Sequence, residues 1–100
     1  MENVTLQLNE KGHGAFIIKD ADKKIGEMVV GVSGNTLTVY HTEVQPEAEG
    51  KGTSKLLLNA MVAYAREHSL QVIPLCVYVH AQFRRHPELY ADIWQQDKAQ

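Results

Sequence analysis

No helical period runs through the first 45 residues. Apolar and polar side chains alternate instead, in four short runs: "NVTLQLNE", "HGAFIIKD", "KIGEMVVGV" and "TLTVYHTEV". Alternation puts every second side chain on one face of an extended chain, and Val, Ile, Thr and Tyr suit that pleated surface. In the first run Val4, Leu6 and Leu8 share a face. The stretches "DADK" (20–23) and "SGN" (33–35) are polar turns. Runs this close together, with turn residues between them, predict an antiparallel meander.

Pro46 stops the fourth run, and the period then changes. Leu57, Ala60, Met61, Tyr64 and Ala65 recur at the spacing of one helix face, which predicts an amphipathic helix within residues 50–67. "QVIPLCVYV" (71–79) has the length and apolar content of a fifth strand, although Pro74 interrupts its hydrogen bonding. A proline inside a strand marks an edge, a bulge or a splayed position. "AQFRRH" and "PELYADIWQQ" read as two short helices broken at His86-Pro87, with Pro87 in the first turn of the second. The order is β-β-β-β-α-β-α-α. This is an α+β fold, one long helix on a mainly antiparallel sheet. With no repeat and no linker, residues 1–100 are expected to form one domain.

Composition narrows the function. At 44% hydrophobic and 22% charged, the chain has enough apolar mass for a core. A formal net charge of −2 leaves no basic footprint, so no nucleic acid partner is expected. Cys76 is the single cysteine, which excludes an internal disulfide. The opening "MENVTLQLNE" lacks the charged-then-apolar pattern of a secretion signal, and no apolar run nears the roughly 18 residues of a membrane span. A reducing, cytoplasmic setting away from membranes is expected. The histidines at 13, 41, 68, 80 and 86 form no metal-ligand pattern, and no metal site is expected.

"EAEGKGTSKLLL" (47–58) holds the first chemical candidate. Gly50 and Gly52 stand at the mouth of the helix, where N–H donors are free and the dipole favours an anion. A phosphate could sit on the N–H groups of residues 50–54, with Lys51, Thr53 and Ser54 adding donors. A plain tight turn fits the same spacing. A P-loop does not, because its first glycine would fall at position 45, which is Gln.

Two further candidates come from strand phase. On the fourth run, Leu37, Val39, His41 and Glu43 are expected on one face, opposite Thr38, Tyr40, Thr42 and Val44. His41 with Glu43 then reads either as a strand end entering solvent or as a base beside an orienting carboxylate. On the fifth run, Ile73, Leu75, Val77 and Val79 are expected to face the core, opposite Pro74, Cys76, Tyr78 and His80. Cys76 reads as a buried structural thiol or, beside a cation or helix N-terminus, as a reactive one. "FRRH" (83–86) is a small basic cluster: a solvated helix face, or the second side of an anion site.

The succession of strand, V-x-P, charged turn, G-K-G, amphipathic helix and apolar strand resembles the acetyl-CoA-binding half of the GNAT superfamily of N-acetyltransferases. "YHTEVQPEAEGKG", "YARE", "PLCVYV" and "HPELYAD" together resemble a small subfamily of about 100 residues that lacks the N-terminal helices of larger members. The likeness runs from about residue 10 to residue 92. The family's pyrophosphate motif, Q/R-x-x-G-x-G/A, falls on Glu49-Gly50-Lys51-Gly52-Thr53-Ser54. Gly52 matches, Ser54 replaces the final Gly or Ala, and Glu49 replaces Gln or Arg, a carboxylate that repels pyrophosphate.

The resemblance implies a minimal GNAT-like fold whose fourth and fifth strands splay apart. It places the pantetheine arm of coenzyme A in that gap, against the backbone of Thr42 to Val44. The pyrophosphate falls on Gly50, Lys51, Gly52, Thr53 and Ser54, and Tyr78, His80 and Arg84 border the cofactor from the other side. It also implies acetyl-CoA-dependent transfer to an amine, a small molecule or a protein. His41 and Glu43 are then the candidate base and its partner, and a backbone N–H near Val44 polarises the carbonyl. Cys76 becomes nucleophile, general acid or pocket wall. A CoA-binding module without transfer activity is the alternative that Glu49 favours, and a small interaction domain is the third.

Overall fold

A computed structural model describes residues 3–95. Five strands form one sheet in the order β1-β2-β3-β4-β5. They are β1 (Val4–Leu8), β2 (His13–Asp20), β3 (Lys23–Ser33), β4 (Thr36–Val44) and β5 (Gln71–Pro74). The first four make the expected antiparallel meander. The β2–β3 hairpin turns at Ala21-Asp22 and the β3–β4 hairpin at Gly34-Asn35. β5 lies parallel to β4, as it must after a crossover helix. That helix is α1 (Thr53–Glu67), reached through a single 3₁₀ turn at Pro46–Ala48.

α1 covers one face of the sheet. Leu57, Leu58, Met61, Val62 and Ala65 are buried against Ile18, Met28, Leu37 and Val39. The buried stripe is turned slightly from the expected one, so Ala60 and Tyr64 flank it. Each such burial is worth about 1.5–3 kcal/mol. Gly26 lets the helix come this close. A Cβ there would lie 3.0 Å from Thr53 Cγ2, 3.1 Å from Ile18 Cγ2 and 3.3 Å from Leu57 Cδ1.

The region after β5 departs from expectation. The strand stops at Pro74, and α2 occupies Val77–Arg85 with Cys76 at its N-cap. Leu75 and Val77 therefore do not join a core face: they are 62% and 84% exposed. The helical spacing Cys76, Val79, Phe83 supplies the buried side chains instead. A short apolar run fits either period, and here packing on Trp94 and Tyr90 favours the helix. Phe83 stacks on Tyr90 at 4.6 Å and meets the Trp94 ring at 5.7 Å.

The last helix, α3, is only Pro87–Tyr90. The expected extension through "ADIWQ" is a turn and an extended piece, and Gln96 lies outside the described residues. The extended piece covers the outer edge of β5. Val72 N–H donates to Ile93 O at 2.6 Å, and Gln95 N–H donates to Val72 O at 2.9 Å. Backbone alternation puts Pro74 on that outer side with Val72, so its missing N–H costs no bond to β4. Arg66 at the end of α1 holds the segment through Asp92 (2.9 and 3.1 Å) and Leu89 O (2.6 Å).

Candidate functional site

β4 outruns its partner. Pairing with β5 spans Thr36↔Gln71 to Val39↔Pro74, and Cys76 N–H closes it by donating to Val39 O at 2.9 Å. β4 continues to Val44 while the other chain turns into α2. The two strands thus part, as a splayed pair does.

A bulge decides what faces the gap. Register with β3 jumps from Val30↔Val39 to Val29↔His41, so Tyr40 is the extra residue. The bulge overturns the expected phase of β4. His41 and Glu43 do not continue the Leu37–Val39 face: both are exposed on the opposite side, while Thr42 and Val44 turn half-buried toward the core. Gln45 N–H donates to Ile25 O at 2.8 Å, so alternation aims the backbone groups of Glu43 and His41 at β3. Those of Thr42 and Val44 point into the gap.

One end of the gap is the glycine turn. Gly50 and Gly52 have φ of +80° and +81°, a region that other residues enter only with strain, and nothing lies within 4 Å of where a Cβ would stand. Among the described residues, the N–H groups of Gly50, Gly52, Thr53, Ser54 and Lys55 have no backbone acceptor. Lys51 N–H is the exception, donating to Ala48 O at 3.3 Å. Thr53 is buried and its hydroxyl donates inward to Ala48 O, so only its N–H is offered outward. A cavity of about 240 Å³ lies here, lined by Val44, Glu49, the turn and Tyr78. These donors fit the pyrophosphate of coenzyme A, and the unpaired edge of Thr42 and Val44 fits an amide-bearing arm. The Glu49 carboxylate, on the same wall, opposes an anion.

The other end is centred on Cys76. Cys76 is 5% exposed, with Sγ 3.2 Å from Thr42 Oγ1. A cavity of about 430 Å³ lies above, lined by Tyr40, His41, Thr42, Cys76, Val77 and Tyr78, with Leu75 on its rim. Tyr78 belongs to both cavities and joins the two ends. Burial pushes its phenol above the ordinary value, and the nearby Tyr90 and Cys76 act in the same direction. It therefore keeps its proton at neutral pH. His41 Nε2 lies 3.9 Å from Glu43 Oε1, with both side chains more than half exposed.

The remaining candidates lie apart. His80 meets the Trp94 ring edge to face at 6.0 Å. Arg84 is turned about 120° around α2 from Tyr78, whereas Arg85 falls within about 20° of it. Lys55 joins the turn cavity, and Tyr40, Leu75 and Val77 join the other. Sequence reading passed over them. Lys55 could have been found from helix phase, because it follows directly on the free donors of the first turn.

The comparisons with known proteins agree with this geometry. The profile of GCN5-related N-acetyl-transferases matches residues 15–93. No protein of curated function gave a match. Among solved structures, a GCN5-like protein from Staphylococcus aureus is 28% identical with a TM-score of 0.68, covering 99% of this chain and 95% of that one. Nourseothricin acetyltransferase is 26% identical with a TM-score of 0.58, and the match covers 77% of this chain and 50% of that enzyme. Ribosomal-protein-alanine N-acetyltransferase from Brucella melitensis shares the fold at 18% identity, with a TM-score of 0.64 over 91% of this chain and 67% of that one. A profile match over most of the chain, on a sheet with a parted β4–β5 pair and a glycine turn at the mouth of α1, shows that this protein belongs to the GCN5-related N-acetyltransferase family.

Proposed function

We propose that residues 1–100 act as one acetyltransferase domain that moves an acetyl group from acetyl-CoA to an amine. The observation that carries the reading is the continuity of the gap. A turn with five N–H groups free of backbone acceptors stands at one end, a thiol with a hydroxyl partner stands at the other, and Tyr78 links them.

Acetyl-CoA supplies an activated acyl thioester. The chain's own part is to position it and to move protons. The turn at residues 50–55 holds the pyrophosphate, and Thr42 and Val44 hold the arm by their backbone groups. Of the backbone donors facing the gap, the Thr42 N–H is the one at the Cys76 end and would donate to the thioester carbonyl as negative charge develops on the oxygen, whereas Val44 lines the turn cavity. His41, backed by Glu43, takes the proton from the attacking ammonium on the open face of the sheet. Tyr78 donates a proton to the departing thiolate. The near-complete burial of Cys76 and its bond to Thr42 favour direct transfer, with the thiol as pocket wall or second proton donor, over an acetylated cysteine. Arg85 is better phased than Arg84 to approach the cofactor beside Tyr78.

A CoA-binding module without transfer is the second reading, because Glu49 lines the turn cavity and no cation pairs with it among the described residues. Two experiments separate the readings. An amide-shift titration with acetyl-CoA should move Thr42–Val44, Gly50–Lys55 and Cys76–Tyr78, and no shifts at millimolar ligand would remove both readings. Turnover on an amine panel then distinguishes transfer from binding alone. Cys76→Ser should keep a ternary-complex rate law, whereas loss of all transfer together with ping-pong kinetics in the parent protein would establish the acetyl-cysteine route. His41→Ala should remove the limb of the pH–rate profile that reports the base.

A further inference from the structure

Among the described residues six large apolar side chains are well exposed: Leu8, Tyr40, Leu56, Leu75, Val77 and Leu89. Three of them, Tyr40 at 49%, Leu75 at 62% and Val77 at 84%, gather around the single cavity above Cys76. They arrive there by different routes. Tyr40 is pushed out by the bulge in β4, and Leu75 and Val77 flank the cysteine where β5 gives way to α2. Scattered exposed apolar groups are ordinary on a soluble surface, but several converging on one concave site mark a binding contact.

Beside this lip, His41 stands next to the carboxylate of Glu43. Glu43 stands directly opposite Glu27 across β3 and β4, an arrangement in which like charges disfavour each other. Lys24 pairs with Glu27 at 2.7 Å. Among the described residues no lysine or arginine pairs with Glu43, whose charged neighbour is His41. A cation arriving beside His41 is therefore favoured over an anion.

From the apolar lip and the unpaired carboxylate beside it we infer that the acceptor is an amine carried next to a bulky apolar group, with Leu75, Val77 and Tyr40 setting the preference. This rests on the transferase reading for the word acceptor, but not for the binding itself. The chemistry is shared by an arylalkylamine and by a peptide that begins with Leu or Phe. The ammonium lies toward His41 and Glu43, and the apolar group lies across Leu75 and Val77. In the reaction one ammonium proton leaves to His41, the freed amine nitrogen bonds to the acetyl carbon, the carbon–sulfur bond breaks, the thiolate takes the Tyr78 proton, and the second proton lost by the nitrogen returns to the Tyr78 phenolate.

The test is an amide-shift titration of the full chain, with and without saturating coenzyme A. The probes are 2-phenylethylamine, a hexapeptide beginning with Leu, spermidine and 2-phenylethanol. The amine or the peptide should shift Tyr40–Thr42 and Leu75–Val77 with at least tenfold higher affinity than spermidine or the alcohol. Which of the two binds tells a free amine from a peptide terminus. Leu75→Ser/Val77→Ser changes exposed residues only, so it should keep the fold, and it should lower that affinity about tenfold while leaving the acetyl-CoA shifts at Gly50–Lys55 unchanged. With acetyl-CoA present, the same double variant should raise the KM for the apolar amine with little change in kcat. Equal binding of spermidine, no shift at the lip with any probe, or an unaltered double variant would overturn the inference. So would a sedimentation result in which a stable dimer is broken by that variant, since a second copy would then cover the lip. Selective binding without acetyl transfer would instead overturn the transferase reading and leave this one standing.

Discussion

At the scale of single residues, the site is a contest between donors and one carboxylate. Five N–H groups of the Gly50–Lys55 turn favour an anion, and Glu49 stands on the same wall to disfavour it. A unit charge 4 Å from another is worth about 1 kcal/mol even in water. Glu49→Gln should therefore tighten coenzyme A by about fivefold, with the gain shrinking as salt rises, as isothermal titration at low and high ionic strength would read. Gly52→Ala tests the donors. Its φ of +81° costs an alanine about 1–2 kcal/mol, and the new methyl stands where the anion approaches. Coenzyme A affinity should fall tenfold or more, with a loss of about 5–10 °C in Tm. Thr42 is the quieter case. Its backbone faces the gap and its hydroxyl touches the thiol, so one residue serves both the edge of β4 and the Cys76 end.

At the scale of elements, the meander and α1 were legible because their periods run long enough to be unambiguous. The His13–Asp20 strand has the bounds of its sequence run, and Leu57, Met61 and Ala65 are buried as their spacing implies. Two features were hidden for physical reasons. Residues 75–79 satisfy a strand and a helix equally, and only the aromatic surface of Tyr90 and Trp94, far along the chain, selects the helix. The Tyr40 bulge leaves no mark in composition, yet it reverses every side chain after it, so strand phase misplaced His41 and Glu43. The glycine turn was readable as an anion candidate, but its depth relative to the sheet was not, because that depends on Gly26. Gly26→Ala pushes on Thr53 at 3.0 Å and so on the first turn of α1. An overpacking cost of about 1–3 kcal/mol is expected, with coenzyme A affinity falling alongside Tm.

For the whole molecule, the C-terminal segment is the fastening. Phe83 is fully buried between Tyr90 and Trp94, and Phe83→Ala should cost about 3–5 kcal/mol, a large part of the stability of a chain this size. Arg66 and Asp92 add a surface clamp. The Arg66 guanidinium holds the Asp92 carboxyl below its ordinary 3.8, so the bond stabilises above that value and is lost as pH falls through the lowered one. Both groups are about half exposed, which limits the effect to about 1 kcal/mol. Asp92→Asn should lower Tm by several degrees at pH 7 and converge with the parent once pH falls below the lowered value, as calorimetry on acidification would read. No helix of the described residues is long and apolar enough to cross a membrane.

The parted strands have one more consequence. Beyond Val39 the β4 edge facing the gap carries backbone donors and acceptors that no strand among the described residues takes up, and such an edge recruits strands from other molecules. Coenzyme A, lying along Thr42 and Val44, would then serve the protein as a removable plug against clumping. Solubility at high protein concentration, and not catalysis alone, should rise and fall with the supply of the ligand.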